Sequence, residues 1–194
     1  MIAKEKLNIL WSLEQTAEKY ADRVAVSDVN QELTWKELVK KAQVIGAELS
    51  EKVQPGNPVP VLLEKSSETL AVMLGIVYAG CFYVPVNPMN PAERLRKIME
   101  KLEPEVIISD EKGKEQLAAV GIGLEEKVIG PETLLPTTGT DLSEEQRSKL
   151  EQIQGQWKET DALYGIFTSG STGTPKAIVV SLSLIHISEP TRHS

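Results

Sequence analysis

The spacing of apolar and polar residues changes repeatedly along the chain between a helical period and a strand period. Apolar residues three and four apart predict helices over about 9–20, 38–49, 70–77 and 90–104. Between and around these helices lie short apolar runs that predict strands, namely VAVSD, ELTW, VPVLLE, CFYVPV, VIIS and KVIG. Strands that alternate with helices predict an α/β fold with a largely parallel sheet flanked by helices.

Two helices begin with capping signals. Thr34 and Glu37 form the T-x-x-E pattern of a capping box. Asn90 is expected to cap the helix over 90–104, with Pro91 in the first helical position and Glu93 completing a second box.

The stretch from 131 to 160 interrupts this alternation. PETLLPTTGTD is typical of a loop, and SEEQRSKLEQIQGQW predicts a polar helix with few core positions. We therefore expect this stretch to run over the surface and lead to ALYGIFT, the next central strand. KAIVVS, which follows shortly after, predicts the second strand of a hairpin.

Composition narrows the classes of partner and compartment. The chain has 194 residues, 41% of them hydrophobic, which is enough for a sizeable core. Its net charge of −7 argues against nucleic acid or an anionic membrane as the main partner. No run is apolar enough for a membrane span, and the first residues do not resemble a signal peptide. The single cysteine, Cys81, cannot form an internal disulfide, so we expect a cytoplasmic protein. Cys81 itself is interpreted as a core residue.

The stretch TSGSTGTPK, residues 168–176, predicts a loop that binds phosphate. Its glycines allow positive φ and close approach of the backbone to a ligand. Its hydroxyl groups and backbone N–H groups can surround an anion, and its lysine adds a mobile positive charge. The candidate ligand-binding residues are Thr168, Ser169, Gly170, Ser171, Thr172, Gly173 and Lys176.

This loop differs from the Walker A motif. The lysine follows Pro175 rather than glycine, and Ala177 stands where a hydroxyl residue would bind Mg²⁺. Composition alone leaves a flexible Gly/Ser surface turn as an open alternative.

YGIFTSGSTGTPKAIVVS resembles the phosphate loop of the adenylate-forming, or AMP-binding, enzymes. This superfamily includes acyl-CoA synthetases, luciferases and the amino-acid adenylation domains of nonribosomal peptide synthetases. LTWKELVKKAQVIGAEL is similar to an early helix of the family. LGIVYAGCFYVPVNPMNPAERL resembles its second core motif, although Asn87 stands where aspartate is usual. The spacing of that motif is kept by Gly80, Pro85, Pro91 and Arg94.

The resemblance implies a ligase that uses ATP and Mg²⁺. A carboxylate substrate attacks the α-phosphate, which gives an acyl-adenylate and pyrophosphate. A thiol then accepts the acyl group, either CoA or the phosphopantetheine of an acyl or peptidyl carrier protein. The resemblance assigns the β- and γ-phosphates to the residues from Thr168 to Gly173, together with Lys176. It assigns no catalytic residue within this chain, and the Mg²⁺ ligand is expected in a later part of the family pattern.

The likeness of AGCFYVP favours amino-acid activation over fatty-acyl activation. General likeness to ligases that load D-alanine onto a carrier protein for lipoteichoic acid implies D-alanine as the amino acid. Two alternatives remain open, an acyl-CoA synthetase and a non-catalytic nucleotide-binding module.

We divide the chain at Ser181. Residues 1–181 are expected to be the N-terminal part of an AMP-binding adenylation domain, here a partial subdomain. Residues 182–194 include LSLIHISEPTR, which resembles a translated transposase-end sequencing adapter, so His186 and His193 are given no role. The family's adenine, ribose and lid motifs are not found in these 194 residues, which alone are expected to be inactive.

Overall fold

A computed structural model describes residues 9–135, 141–168 and 175–181. Every predicted helix and strand is present, with ends shifted by at most a few residues. In chain order the elements are α1 (Ile9–Lys19), β1 (Val24–Ser27), β2 (Glu32–Thr34), α2 (Trp35–Leu49), β3 (Pro58–Leu62), α3 (Ser67–Tyr78), β4 (Phe82–Pro85), α4 (Ala92–Leu102), β5 (Ile107–Ser109), α5 (Glu111–Val120), β6 (Val128–Ile129), α6 (Glu144–Gly155), β7 (Ala162–Thr168) and β8 (Lys176–Ser181).

Six strands form one sheet in the order β6-β5-β3-β4-β7-β8. All its neighbours are parallel except β7 and β8, which form an antiparallel hairpin. β1 and β2 form a separate antiparallel pair. This arrangement confirms the predicted α/β fold and brings the carboxyl ends of β3, β4, β5, β6 and β7 to one edge of the sheet.

The side chains of the sheet strands alternate between two cores, one on each face of the sheet. Helices cover both faces. Ile108 of β5 packs with α2 and α3, whereas its neighbour Ile107 packs with α4 and α5. The predicted inner face of α2 is buried as expected, and it consists of Leu38, Ala42, Ile45 and Leu49.

α2 and α3 cross closely at two glycines. A Cβ atom placed on Gly46 would overlap Tyr78 Cβ, and one placed on Gly75 would overlap the side chain of Ile45. Because glycine has no side chain at these two positions, α2 and α3 pack more closely than larger residues would allow.

The capping predictions for the N-termini of α2 and α4 had different outcomes. The capping box of α2 is confirmed, with the Thr34 hydroxyl accepting from the Glu37 N–H and the Glu37 carboxylate accepting from the Thr34 N–H. The box predicted for α4 is wrong, because Pro91 has extended ψ and starts the helix through its own carbonyl, bonded to Leu95 N. Asn90 therefore lies one residue too early to cap, and Glu93 pairs with Lys97 at 2.8 Å instead.

The stretch from 131 to 160 is described at 131–135 and 141–160, and these two parts bury Leu134 and Leu150 and leave the other residues at least partly exposed. It begins with a 3₁₀ turn at Pro131–Leu134, and α6 buries Leu150 alone. Polar contacts fix α6 to the end of α2, where Lys149 Nζ lies 3.1 Å from Ser50 O and pairs with the Glu51 carboxylate. This route takes the chain from β6, at one edge of the sheet, to β7, beside β4. None of the helices in the described ranges is both long enough and apolar enough to cross a bilayer.

Candidate functional site

The two ends of the predicted phosphate loop lie side by side. Thr168 is the last residue of β7, Lys176 is the first residue of β8, and the two are paired in the antiparallel register. The hairpin therefore closes the loop at the edge where the parallel strands end. Ligands of open α/β sheets bind at this edge.

Thr168 and Lys176 are both exposed, and Pro175 next to the lysine is buried. Within the described ranges, neither the Thr168 hydroxyl nor the Lys176 ammonium has a hydrogen-bonding or charged partner. The other predicted site residues, Ser169, Gly170, Ser171, Thr172 and Gly173, lie outside the described residues.

The strand that precedes the loop is packed tightly against its neighbour. A Cβ atom on Gly165 would lie 3.2 Å from Val84 Cγ2, so the glycine lets β7 lie close to β4. Phe167 is partly buried against the core formed with α4 and α5. Phe167 therefore anchors the end of β7 to the helices on one face of the sheet, next to Thr168 in the sequence.

On the β4–β7 boundary two tyrosines stack. Tyr83 and Tyr164 are register partners with ring centroids 5.8 Å apart and planes 21° apart. Burial, and secondarily the neighbouring Tyr164, raises the pKa of Tyr83, so it stays neutral at physiological pH. This pair was not predicted from the sequence. The available signal was that each of the two predicted strands, CFYVPV and ALYGIFT, contains two aromatic residues.

The segment after β4 lies next to the candidate site because β4 is the neighbour of β7. Its Asn87 Oδ1 accepts a hydrogen bond from the backbone N–H of Met89 at 2.9 Å. An aspartate oxygen could accept the same bond, so the departure from the family pattern at this position keeps the local turn.

Cys81 is a core residue, as predicted. It is buried, and its thiol donates to the Gln54 carbonyl oxygen at 3.3 Å. Burial raises the pKa of the Cys81 thiol to about 12, so the thiolate needed for nucleophilic chemistry is not formed at neutral pH.

The described ends of the loop carry groups that suit a polyphosphate. A hydroxyl and an ammonium flank the loop, and both are groups that bind phosphate oxygens. No group of three or more His, Cys, Asp or Glu side chains that could hold a metal occurs in the part of the chain that the structure describes.

Several known proteins resemble the chain in sequence or in fold. Bacitracin synthase 1 of Bacillus licheniformis is 34% identical over 180 residues, which are 90% of this chain and 3% of that protein. VinN, solved with L-aspartate, has a TM-score of 0.73 at 24% identity and covers 91% of this chain. A Mycobacterium tuberculosis fatty acyl CoA synthetase has a TM-score of 0.76 at 20% identity and covers 94% of it.

The chain corresponds to a part of each of these proteins, namely 48% of the VinN chain and 36% of the fatty acyl CoA synthetase chain. These two likenesses establish the fold, which is that of the N-terminal region of adenylate-forming enzymes. A family model described as AMP-binding enzyme matches residues 13–188. Sequence, fold and the paired ends of the loop thus agree, and the chain belongs to the AMP-binding enzyme family.

Proposed function

We propose that this chain is the N-terminal part of a ligase that activates an amino acid with ATP. The observation that carries the proposal is the register pair of Thr168 and Lys176, both exposed at the carboxyl edge of the sheet. Relatives of this chain include proteins named nonribosomal peptide synthetases, which supports an amino acid as the acid that is activated.

In this proposal the loop binds the β- and γ-phosphates of ATP. Thr168, Ser169, Ser171 and Thr172 supply hydroxyl donors, and Gly170 and Gly173 let backbone N–H groups approach the phosphate oxygens. Lys176 neutralises charge on the pyrophosphate that leaves. These groups position the α-phosphate for in-line attack by the carboxylate, and they form no covalent bond themselves.

The product would be an aminoacyl-adenylate, which then passes to a phosphopantetheine thiol on a carrier protein. D-Alanine is the amino acid that we propose to test first. Mg²⁺ would neutralise phosphate charge when bound, and its ligands would come from the rest of the enzyme. We further propose that the enzyme acts in the cytoplasm and that these 194 residues alone are inactive.

We also propose that residues 1–181 are part of the adenylation domain and that residues 182–194 derive from adapter DNA. The edge strand β8 supports a domain with further strands. Its Ile178 is 52% exposed, and Val179, on the opposite face, is 51% exposed. An apolar edge of this kind is suited to pairing with additional chain.

A second candidate function is an acyl-CoA synthetase. The fold likeness to a fatty acyl CoA synthetase, with a TM-score of 0.76, is the observation that favours it. The two candidates differ in the acid that they activate and in the thiol that accepts it.

The test is amino-acid-dependent exchange of labelled pyrophosphate into ATP, measured on the gene product that contains this chain. We expect exchange with one or a few amino acids, D-alanine among those tested, and none with the 194 residues alone. Exchange with fatty or aryl acids and formation of a CoA thioester would establish the second candidate. No exchange with any acid would contradict both and leave a non-catalytic nucleotide-binding module.

The proposed boundary at Ser181 has its own test. Long-read sequencing of the source locus across the codons for Val180 to Ser194 should show a different continuation after Ser181. A locus that encodes residues 182–194 as printed would contradict the adapter origin.

A further inference from the structure

A cavity lies between α1, α2 and α6, and no residue of β7 or β8 lines it. Its volume is about 580 Å³, within the range typical of small-molecule sites. Each of the three helices contributes a stripe of residues spaced three and four apart. The base of the cavity is apolar and includes Ala17, Val39 and Leu150, all three of them buried.

The walls of this cavity carry both signs of charge. α1 contributes Glu14 and Glu18, and α2 contributes Lys36 and Lys40. Lys40 is already paired with Asp141 at 2.7 Å. Across the described part of the chain, neither Lys36 nor Arg147 of α6 has a carboxylate within ion-pair distance. Both nevertheless interact electrostatically with Asp141, and α6 also brings Glu151 to the cavity.

One carboxylate in the cavity is held in place by a buried group. Glu14 Oε1 accepts a hydrogen bond from the Tyr78 hydroxyl at 2.9 Å and another from Gln43 Nε2 at 3.3 Å. The Tyr78 side chain is 0% exposed, so it fixes Glu14 from beneath. Glu14 Oε2 receives no hydrogen bond from the described residues, and it remains available to a donor.

A fixed carboxylate with one free oxygen is well suited to bind an ammonium group. Because its side chain is already ordered, binding costs little additional conformational entropy. Lys36 and Arg147 form no ion pair among the described residues, although both lie near enough to Asp141 to help lower its pKa. They offer the complementary partner for a carboxylate. An anion alone would be repelled by Glu14 and Glu18, and a polyamine alone would be repelled by Lys36 and Arg147.

We propose that this cavity binds a small zwitterion, a free amino acid or a short peptide, independently of the phosphate loop. The ammonium group of the ligand binds Glu14, its carboxylate binds Lys36 and Arg147, and its side chain packs against the apolar base. No residue that lines the cavity belongs to β4, β7 or β8, so this site and the proposed adenylation function can be tested independently.

The test uses the whole chain and isothermal titration calorimetry with alanine and with the dipeptide alanylalanine. We expect saturable binding of at least one of them at concentrations below about 10 mM. Acetylating the amino end removes the ammonium, and amidating the carboxyl end removes the carboxylate. Each capped dipeptide should bind at least about tenfold more weakly, the equivalent of one lost charged contact. Tighter binding of alanine would identify a free amino acid as the ligand, and tighter binding of the dipeptide would identify a peptide.

Two charge-removing variants locate the site. Glu14→Gln and Arg147→Gln should each weaken binding by about fivefold or more, a loss of one charge-assisted contact. The matched controls Glu115→Gln and Lys101→Gln remove charges from exposed positions on α5 and α4, outside the cavity, and should leave the affinity unchanged. If Glu14→Gln alters the fold by circular dichroism, Glu18→Gln replaces it, since the Tyr78 hydroxyl donates to Glu14 and not to Glu18.

Three results would overturn the proposal. The first is the absence of saturable binding of both alanine and alanylalanine. The second is equal binding of the capped and uncapped dipeptides. The third is a cavity variant that is folded and keeps the wild-type affinity.

Discussion

Asp28 accepts two hydrogen bonds from Ser67, one from its backbone N–H and one from its hydroxyl, each 2.7 Å long. Its other oxygen accepts from the backbone N–H groups of Asn30 and Gln31. Ser67 is the first residue of α3, where the helix dipole favours a negative charge. One carboxylate thus joins the turn between β1 and β2 to the start of a helix distant in sequence.

This contact predicts a pH dependence of stability. The hydrogen bonds, that of the Ser67 N–H foremost, hold the pKa of Asp28 well below its ordinary value. The unfolded chain therefore binds the proton first on acidification, so the stabilisation is present above about pH 4 and is lost as the pH falls further. Asp28→Asn should unfold at a lower temperature than wild type at pH 7, with the gap narrowing toward pH 3. A gap that does not depend on pH would contradict this assignment.

The buried hydroxyl of Tyr78 predicts a cost for its removal. Tyr78→Phe deletes the donor to Glu14 and should lower the free energy of unfolding by about 1–3 kcal/mol, measured by urea denaturation. Tyr164→Phe is the control, because its hydroxyl has no partner in the described ranges, and it should change stability by less than about 0.5 kcal/mol. Equal losses in the two variants would show that the Glu14 contact adds no stability.

Two glycine substitutions, one at the crossing of α2 and α3 and one at the end of α6, should have opposite effects on stability. Gly46→Ala places a methyl group against Tyr78 and should destabilise the protein by about 1–3 kcal/mol. Gly155→Ala, at the end of α6, meets nothing within 4 Å and should stabilise it by about 0.4–1 kcal/mol. Thermal unfolding of the two variants measures both signs. A tolerated Gly46→Ala would mean that the helices can separate at little cost.

The proposed phosphate contact of Lys176 predicts a loss of function without a loss of fold. Lys176→Ala in the gene product should weaken ATP use by about 10–100-fold, the equivalent of one charged hydrogen bond. Its thermal midpoint should stay near that of wild type, because the side chain is exposed. Lys158→Ala, another exposed lysine, is the control and should leave pyrophosphate exchange unchanged. Unchanged exchange in Lys176→Ala would remove this residue from the proposed site.

Local features of the fold could be predicted from the sequence, because their causes are local. Thr34 and Glu37 are three residues apart, and their capping box depends on little else. The failure at Asn90 has a local cause too. One extended ψ angle at Pro91 moves the start of α4 by one residue, and composition does not reveal that angle.

Contacts between distant parts of the chain could not be predicted. The order of the strands places β7 beside β4 rather than beside β6, and nothing in either strand specifies that choice. The hydrogen bond between Tyr78 and Glu14 joins two helices whose sequences give no sign of each other. Of the candidate site, the hairpin that brings Thr168 to Lys176 was predictable from Pro175 and the strand after it. The cavity was not, because three separate helices form it.

The route of the chain over α6 also bears on the entropic cost of folding. β7 and β8 are near neighbours in sequence and can pair with each other at little entropic cost. Their attachment to the sheet runs through the register pair of Tyr83 and Tyr164, which are much farther apart in sequence, so it costs more loop-closure entropy than the hairpin does. The segment proposed to bind phosphate therefore depends on the contact of this sheet that joins strands farthest apart in the chain.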